Sequence, residues 1–278
     1  MKVAVITGAA SGIGLALSLV CLQRGITVVM TDKDGSKLNA EANRLKAQFP
    51  DQVFHVPCDI TNADEVNQLA PFVAKKLGRV DWIYNNAGII GSLAPIWELT
   101  PEQINQVMDV NLYGMIRVIQ GFIPLLFKQN FNSHIINIAS LYALCSGSQM
   151  ASYSMSKHAV LALTESLYFD FQRLEKPVQL SIAFPSFTDT SLLSNQASEK
   201  NSFHDSLNSL MSHSRPAMEV AQHIVQEAEQ KRFYIMPDKE VKGYCEERTQ
   251  SIVLQDKPHI NNIEKLISSL LKRKKSIV

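Results

Sequence analysis

Val3-Ala4-Val5-Ile6-Thr7-Gly8-Ala9-Ala10-Ser11-Gly12-Ile13-Gly14 decides the fold. Its first five residues form an apolar, β-branched run with no polar face, the pattern of a strand covered on both sides. From Gly12 onward, "GIGLALSLVCLQRG" reads as a helix that ends at Gly25. Between strand and helix, Gly8, Gly12 and Gly14 permit a tight turn and a close backbone approach to a ligand. The N-terminus of the following helix offers free N–H groups and a positive dipole end, which suit a pyrophosphate. A glycine trio alone would serve a plain strand–helix turn equally well. Flanked by this strand and this helix, it points to dinucleotide binding.

The alternation continues outward from that stretch. Ile26–Asp32 is a second apolar run, followed by a polar-faced helix over roughly Gly35–Gln48. "QVFHVPCD" gives a third strand, Ala63–Leu77 a third helix, and "DWIYNNAG" a fourth strand with its turn. Thr100-Pro101-Glu102 opens a long helix, with Thr as N-cap and Pro at the first helical position. "HIINIAS" is a fifth strand, "SYSMSKHAV" belongs to the next helix, "VQLSIAF" is a sixth strand and "RFYIM" a seventh. Strands apolar on both faces and separated by helices predict an α/β fold. With right-handed crossovers this is a Rossmann-type doubly wound parallel sheet of about seven strands, helices on both faces. One catalytic domain is predicted over residues 1–237, followed by a helical extension over 238–278.

The bulk composition narrows the function. The chain has 278 residues, 46% hydrophobic and 19% charged, so a large core is affordable and global disorder is excluded. A net charge of +1 argues against a nucleic-acid surface. Cys21, Cys58, Cys145 and Cys245 are widely spaced, with no CxxC pair and no zinc spacing, so a reduced, cytoplasmic setting is expected. "MKVAVITGAASGIG" shows no cleavage-site pattern after an apolar core, and no apolar run reaches the ~18 residues of a membrane span. Asp32 ends the second strand, where a carboxylate can accept hydrogen bonds from the adenosine ribose and repel a 2′-phosphate. NAD is therefore expected; Lys33, able to hold such a phosphate, keeps NADP open.

Thr7 to Gly14, Asp59-Ile60, Asn85-Asn86-Ala87-Gly88, Asn111, Ser140, and Tyr153 with Lys157 fall in an order and at intervals that resemble the classical short-chain dehydrogenases/reductases. Three residues between Gly8 and Gly12 resemble that branch and not the extended one. The resemblance implies cofactor contacts at Gly8, Ser11, Gly12, Ile13, Gly14 and Asp32. It implies Asp59 on the adenine amino group with Ile60 beside the ring, and Asn86, Ala87 and Gly88 shaping the turn near the adenosine. Asn111 would break the long helix and help hold a proton-relay water. Pro185 and Thr188 would border the nicotinamide, Thr188 meeting its carboxamide. Where the family commonly has Pro-Gly, this chain has Pro185-Ser186, which predicts a slightly altered path if a positive φ is needed there. A homodimer or homotetramer through the helices near 101–128 and 150–173 is also implied.

Tyr153 and Lys157 lie one helical turn apart and face the same side. A free tyrosine, with a pKa of about 10, is a poor base at neutral pH. A neighbouring ammonium stabilises phenolate and is expected to lower that value, suiting Tyr153 to general acid–base work. Ser140 would bond the substrate oxygen, orienting it. Lys157 would also bond the nicotinamide ribose. No metal is expected, because the cofactor carries the hydride. Ser140, Tyr142 and Tyr153 are the candidate substrate contacts.

Residues 186–214 form a long segment with Phe187, Leu192, Leu193, Phe203, Leu207, Leu210 and Met211, the pattern of a substrate loop. It carries no Arg cluster for a phosphate or carboxylate, which favours an apolar, lipid- or steroid-like alcohol or ketone. Ile260, Ile263, Leu266, Ile267, Leu270 and Leu271 repeat at helical spacing before Lys272-Arg273-Lys274-Lys275. That helix packs on the body or a second subunit, or lies on a membrane surface. The expected function is NAD(H)-dependent interconversion of a secondary alcohol and a ketone. The rivals are an NADP(H)-dependent carbonyl reductase and a non-catalytic dinucleotide sensor or scaffold.

Overall fold

Strand β1 (Val3–Thr7) is buried along its whole length. Val3 and Val5 join one apolar cluster and Ala4 and Ile6 another, because successive strand residues point to opposite faces. The computed structural model describes residues 1–189 and 214–275. After β1 come α1 (Gly12–Gln23), β2 (Thr27–Asp32), α2 (Gly35–Lys46), β3 (Val53–Pro57), α3 (Ala63–Leu77) and β4 (Trp82–Asn85). The long helix is α4 (Pro101–Met108), a π-helical stretch (Asp109–Gly114) and α5 (Met115–Lys128). Then follow β5 (Ser133–Ile138), α6 (Ala151–Arg173), β6 (Val178–Ala183), β7 (Thr188–Asp189), β8 (Arg215–Pro216), α7 (Ala217–Glu229), β9 (Tyr234–Ile235), α8 (Lys239–Val253) and α9 (Asn262–Lys275).

Seven strands form one parallel sheet in the order β3-β2-β1-β4-β5-β6-β9. Strand order reverses between β1 and β4, so a crevice opens beyond their C-terminal ends. One face is covered by α3, α5 and α6, the other by α1, α2 and α7. Thr100 starts α4 as read, within a full capping box: its hydroxyl accepts from Gln103 N–H, and the Gln103 side chain accepts from Thr100 N–H.

Three features depart from expectation. The seventh strand is two residues long, not five, and pairs only with Ile182 and Ala183 of β6. A small pair, β7 with β8, joins the chain on the two sides of residues 190–213. The continuous helix Pro101–Lys128 is long and apolar enough by composition to cross a membrane, yet Val107, Met115, Val118, Phe122 and Leu126 are buried in the core. The tail helix α9 packs on the body: Ile263 and Ile267 enter the main core, while Ile260 and Leu266 stay exposed. Leu192, Leu193, Phe203, Leu207, Leu210 and Met211 lie outside the described residues.

Candidate active site

A cleft of about 900 Å³ opens at the strand reversal. It gathers Gly8, Ser11, Gly12, Ile13, Asp32, Asp59, Ile60, Asn86, Ala87, Gly88, Ser140, Tyr153, Lys157, Pro185 and Thr188 along one wall system. Sequence reasoning missed Lys37, Ile89, Ser92, Gln106 and Val110, which also line it. A signal was present for some of these: Ile89 and Ser92 follow Gly88 directly, and Gln106 and Val110 are four apart, on one helical face.

At the cofactor end, steric room is set by missing side chains. Gly8 has φ +64°, and a β-carbon on Gly14 would lie 2.1 Å from the Gly8 carbonyl oxygen. Gly14 therefore packs the helix onto the turn and does not itself line the cleft. The Asn86 amide donates to the Thr7 and Gly8 carbonyls at 2.9 and 3.2 Å, pinning this turn to the end of β4. Its neighbour Asn85 donates to Asn137 Oδ1 at 2.8 Å, a buried bond between the two central strands. Ser11 occupies the N-cap of α1 but makes no side-chain cap bond, and no acidic residue stands in the first turn. The helix thus presents uncapped N–H groups to the cleft, which fits a pyrophosphate. Asp32 is anchored by the Ala10 and Asp34 N–H groups, both at 3.1 Å, and Asp59 Oδ1 by Thr61 N–H and hydroxyl at 2.9 and 2.8 Å. Both carboxylates are thereby oriented at the rim, and the residues fit a dinucleotide.

Asn111 falls in the π-helical stretch, so the expected break is a π-bulge in a helix that stays continuous. Its side chain is fully engaged: Oδ1 accepts from Ile89 N–H at 2.8 Å, and Nδ2 donates to Ile89 O and Ser156 Oγ, both at 2.9 Å. The amide braces the cleft wall to α6, and both its protons are used by protein groups. The Ser156 hydroxyl donates onward to the Tyr153 carbonyl at 2.7 Å.

At the other end of the cleft, Lys157 Nζ donates to Ile138 O at 3.1 Å and lies 5.7 Å from the Tyr153 ring centre. Ser140 Oγ accepts from Tyr142 N–H at 3.2 Å. Burial pushes the Tyr153 phenol up to about 12, with the Ser140 hydroxyl pulling the other way. Burial also pushes Lys157 down to about 8. The direction is opposite to the lowering expected from Lys157: removal from water disfavours the phenolate. Tyr142, expected at the substrate, is 3% exposed, packs edge-on against Tyr153 at 5.9 Å and is absent from the cleft lining among the described residues.

The Pro185-Ser186 departure costs no backbone strain. Ser186 is not among the residues with positive φ, and its N–H donates to the buried carboxylate of Asp238 at 2.8 Å. The Arg215 guanidinium meets that carboxylate at 3.2 Å.

Comparison with known proteins agrees with this fold. The profile of the short chain dehydrogenase family matches residues 2–201. A 1-deoxy-11-beta-hydroxypentalenate dehydrogenase from Streptomyces exfoliatus is 39% identical over 193 residues, covering 69% of each chain. A CLA biosynthesis dehydrogenase/reductase from Lactiplantibacillus plantarum is 26% identical and matches 94% of this chain and 96% of its own. The crystal structure of a short chain dehydrogenase/reductase from Burkholderia phymatum in complex with NAD superposes with TM-score 0.87 at 30% identity, covering 93% of this chain and 96% of that one.

Proposed function

This chain belongs to the short-chain dehydrogenase/reductase family and is an NAD(P)-dependent oxidoreductase of CH–OH groups; on that premise we propose that it interconverts an apolar secondary alcohol and its ketone using NAD(H). The observation that carries the proposal is the convergence of Ser140, Tyr153 and Lys157 on the cleft that begins at the uncapped N-terminus of α1. When bound there, the nicotinamide ring supplies or accepts the hydride. Everything else is done by the chain.

Tyr153 carries the proton. Held up to about 12, its phenol is protonated at neutral pH, so it is ready to donate to the oxygen of a carbonyl being reduced. Ser140 Oγ already accepts from Tyr142 N–H, which leaves its own hydroxyl proton for the substrate oxygen. Lys157 spends one ammonium proton on Ile138 O and has two left for the ribose side of the cleft.

Asp32 at the rim supports NAD, because a fixed carboxylate opposes a 2′-phosphate. Lys33 and Lys37 line the same rim and support the second reading, NADP with carbonyl reduction. Ile89 and Val110 on the cleft wall support an apolar substrate. The hydroxy compound in the Streptomyces relative's name supports an alcohol as the reacting group. Tyr113, Met155 and Phe169, at 52%, 46% and 69% exposure, support a homodimer or homotetramer through the long helix and α6. The test is absorbance change in the reduced-nicotinamide band over a panel of apolar alcohols and ketones with each cofactor. Turnover with NAD is expected; a clear NADP preference in kcat/KM replaces the cofactor assignment, and tight binding without turnover favours a sensor.

A further inference from the structure

Glu264 stands on α9 and does not line the cleft. Its carboxylate accepts from Ser148 N–H at 2.7 Å and from the Ser148 hydroxyl at 2.5 Å. Ser268 donates to the same group at 3.1 Å, and Glu264 N–H is held by Asn261 Oδ1 at 2.9 Å. Ile263 and Ile267, on either side of it, are 6% and 1% exposed and share a core with Tyr142, Met150 and Tyr153. The helix is thus seated by apolar packing, and its carboxylate is aimed at one loop.

That loop leads into α6, the helix of Tyr153 and Lys157. Gln149 within it has φ +61°, a conformation that a side chain disfavours and that surrounding contacts must hold. A β-carbon on Gly147 would lie 3.2 Å from Tyr142 Cε1 and 3.5 Å from Glu264 Oε2. Only a glycine therefore separates the carboxylate from the Tyr142 ring, which in turn packs on Tyr153.

We infer that Glu264 is a positioning residue for the reaction: it clamps the loop before α6 so that Tyr142 holds the Tyr153 ring in place. It acts through Ser148 and Tyr142 and touches neither substrate nor cofactor. The inference rests on the reading of Tyr153 as the proton carrier.

The experiment compares Glu264→Ala and Glu264→Gln in the full chain, with Tyr153→Phe alongside. Glutamine can still accept from Ser148 N–H and can donate to the Ser148 hydroxyl. Glu264→Ala is expected to lower kcat about tenfold or more, since small misplacements of reacting groups are costly. KM for the dinucleotide should not move, and hydrogen exchange of amides 141–157 should quicken. Glu264→Gln is expected to return kcat to within about twofold of the unmodified chain. Unchanged kcat in a folded Glu264→Ala, beside an inactive Tyr153→Phe, overturns this inference alone. Full turnover in Tyr153→Phe overturns it together with the function it rests on. If Glu264→Ala does not fold, Ser148→Ala takes its place, removing one hydroxyl from an exposed position. A lower kcat at unchanged Tm then supports the clamp, and an unchanged kcat overturns it.

Discussion

The two ends of the cleft are made of opposite materials. The turn from Gly8 to Gly14 is backbone, and it works because β-carbons are absent: one added at Gly14 would meet the Gly8 carbonyl at 2.1 Å. The wall from Ser140 to Lys157 is side chain, and it works because polar groups are present where water is not. Tyr153 is 7% and Lys157 4% exposed. The first end is governed by steric fit, where a single carbon matters. The second is governed by solvation, where a single charge matters. A close approach to a phosphate and the management of a proton therefore place different demands on one sheet, and substitutions at the two ends should fail in different ways.

The sharpest separation comes from Tyr153→Phe, which removes one oxygen and leaves the packing. It should lower kcat by about 10²–10⁴ while dinucleotide affinity by titration stays the same. A matching loss of affinity would blur the two ends into one. Gly14→Ala should do the reverse, destabilising the fold by about 3 kcal/mol through overpacking and weakening dinucleotide binding together, read by denaturant unfolding and titration.

Lys157→Met tests the solvation argument by stability. Burial lowers the folded pKa to about 8, below the ordinary lysine value. The folded state thus disfavours the charged form; the penalty is fully present below pH 8 and is relieved as pH rises toward the unfolded value. Lys157→Met should therefore be inactive yet more stable at pH 7, by up to ~3 kcal/mol. That gain should shrink as pH rises above 8, measured by urea unfolding across pH. A variant less stable at pH 7 would show that the bond to Ile138 O outweighs the buried charge. The smallest effect is at the rim: Asp32→Ala should shift the NADP/NAD ratio of kcat/KM about tenfold toward NADP, leaving Tm near its original value.

Much of the sheet was legible because both faces of its strands are covered, which leaves long apolar runs in the sequence. Tyr153 and Lys157 were legible as a pair because helical spacing alone puts them on one side. What spacing cannot carry is burial. The fixed interval between the two residues says nothing of the water excluded around them, and so the phenol was expected low where it stands high. Nor does it say that Tyr142 is buried edge-on against Tyr153. The bond from Ser148 to Glu264 spans 116 positions, and no local pattern announces it. The seventh strand was overextended because an apolar run does not fix how many residues join the ladder: only Tyr234 and Ile235 pair with β6.

Thr188–Asp189 and Arg215–Pro216, on the two sides of residues 190–213, are joined as strands. Asp238 fastens the same junction, accepting from Ser186 N–H on one side and from Arg215 on the other. With both ends fixed, the cost of closing whatever runs between them grows only with the logarithm of its length, about 0.6 kcal/mol for each doubling. The junction is therefore a graft point. Segments of other lengths and sequences are then expected to be exchangeable between residues 189 and 215, with the sheet remaining as a common chassis.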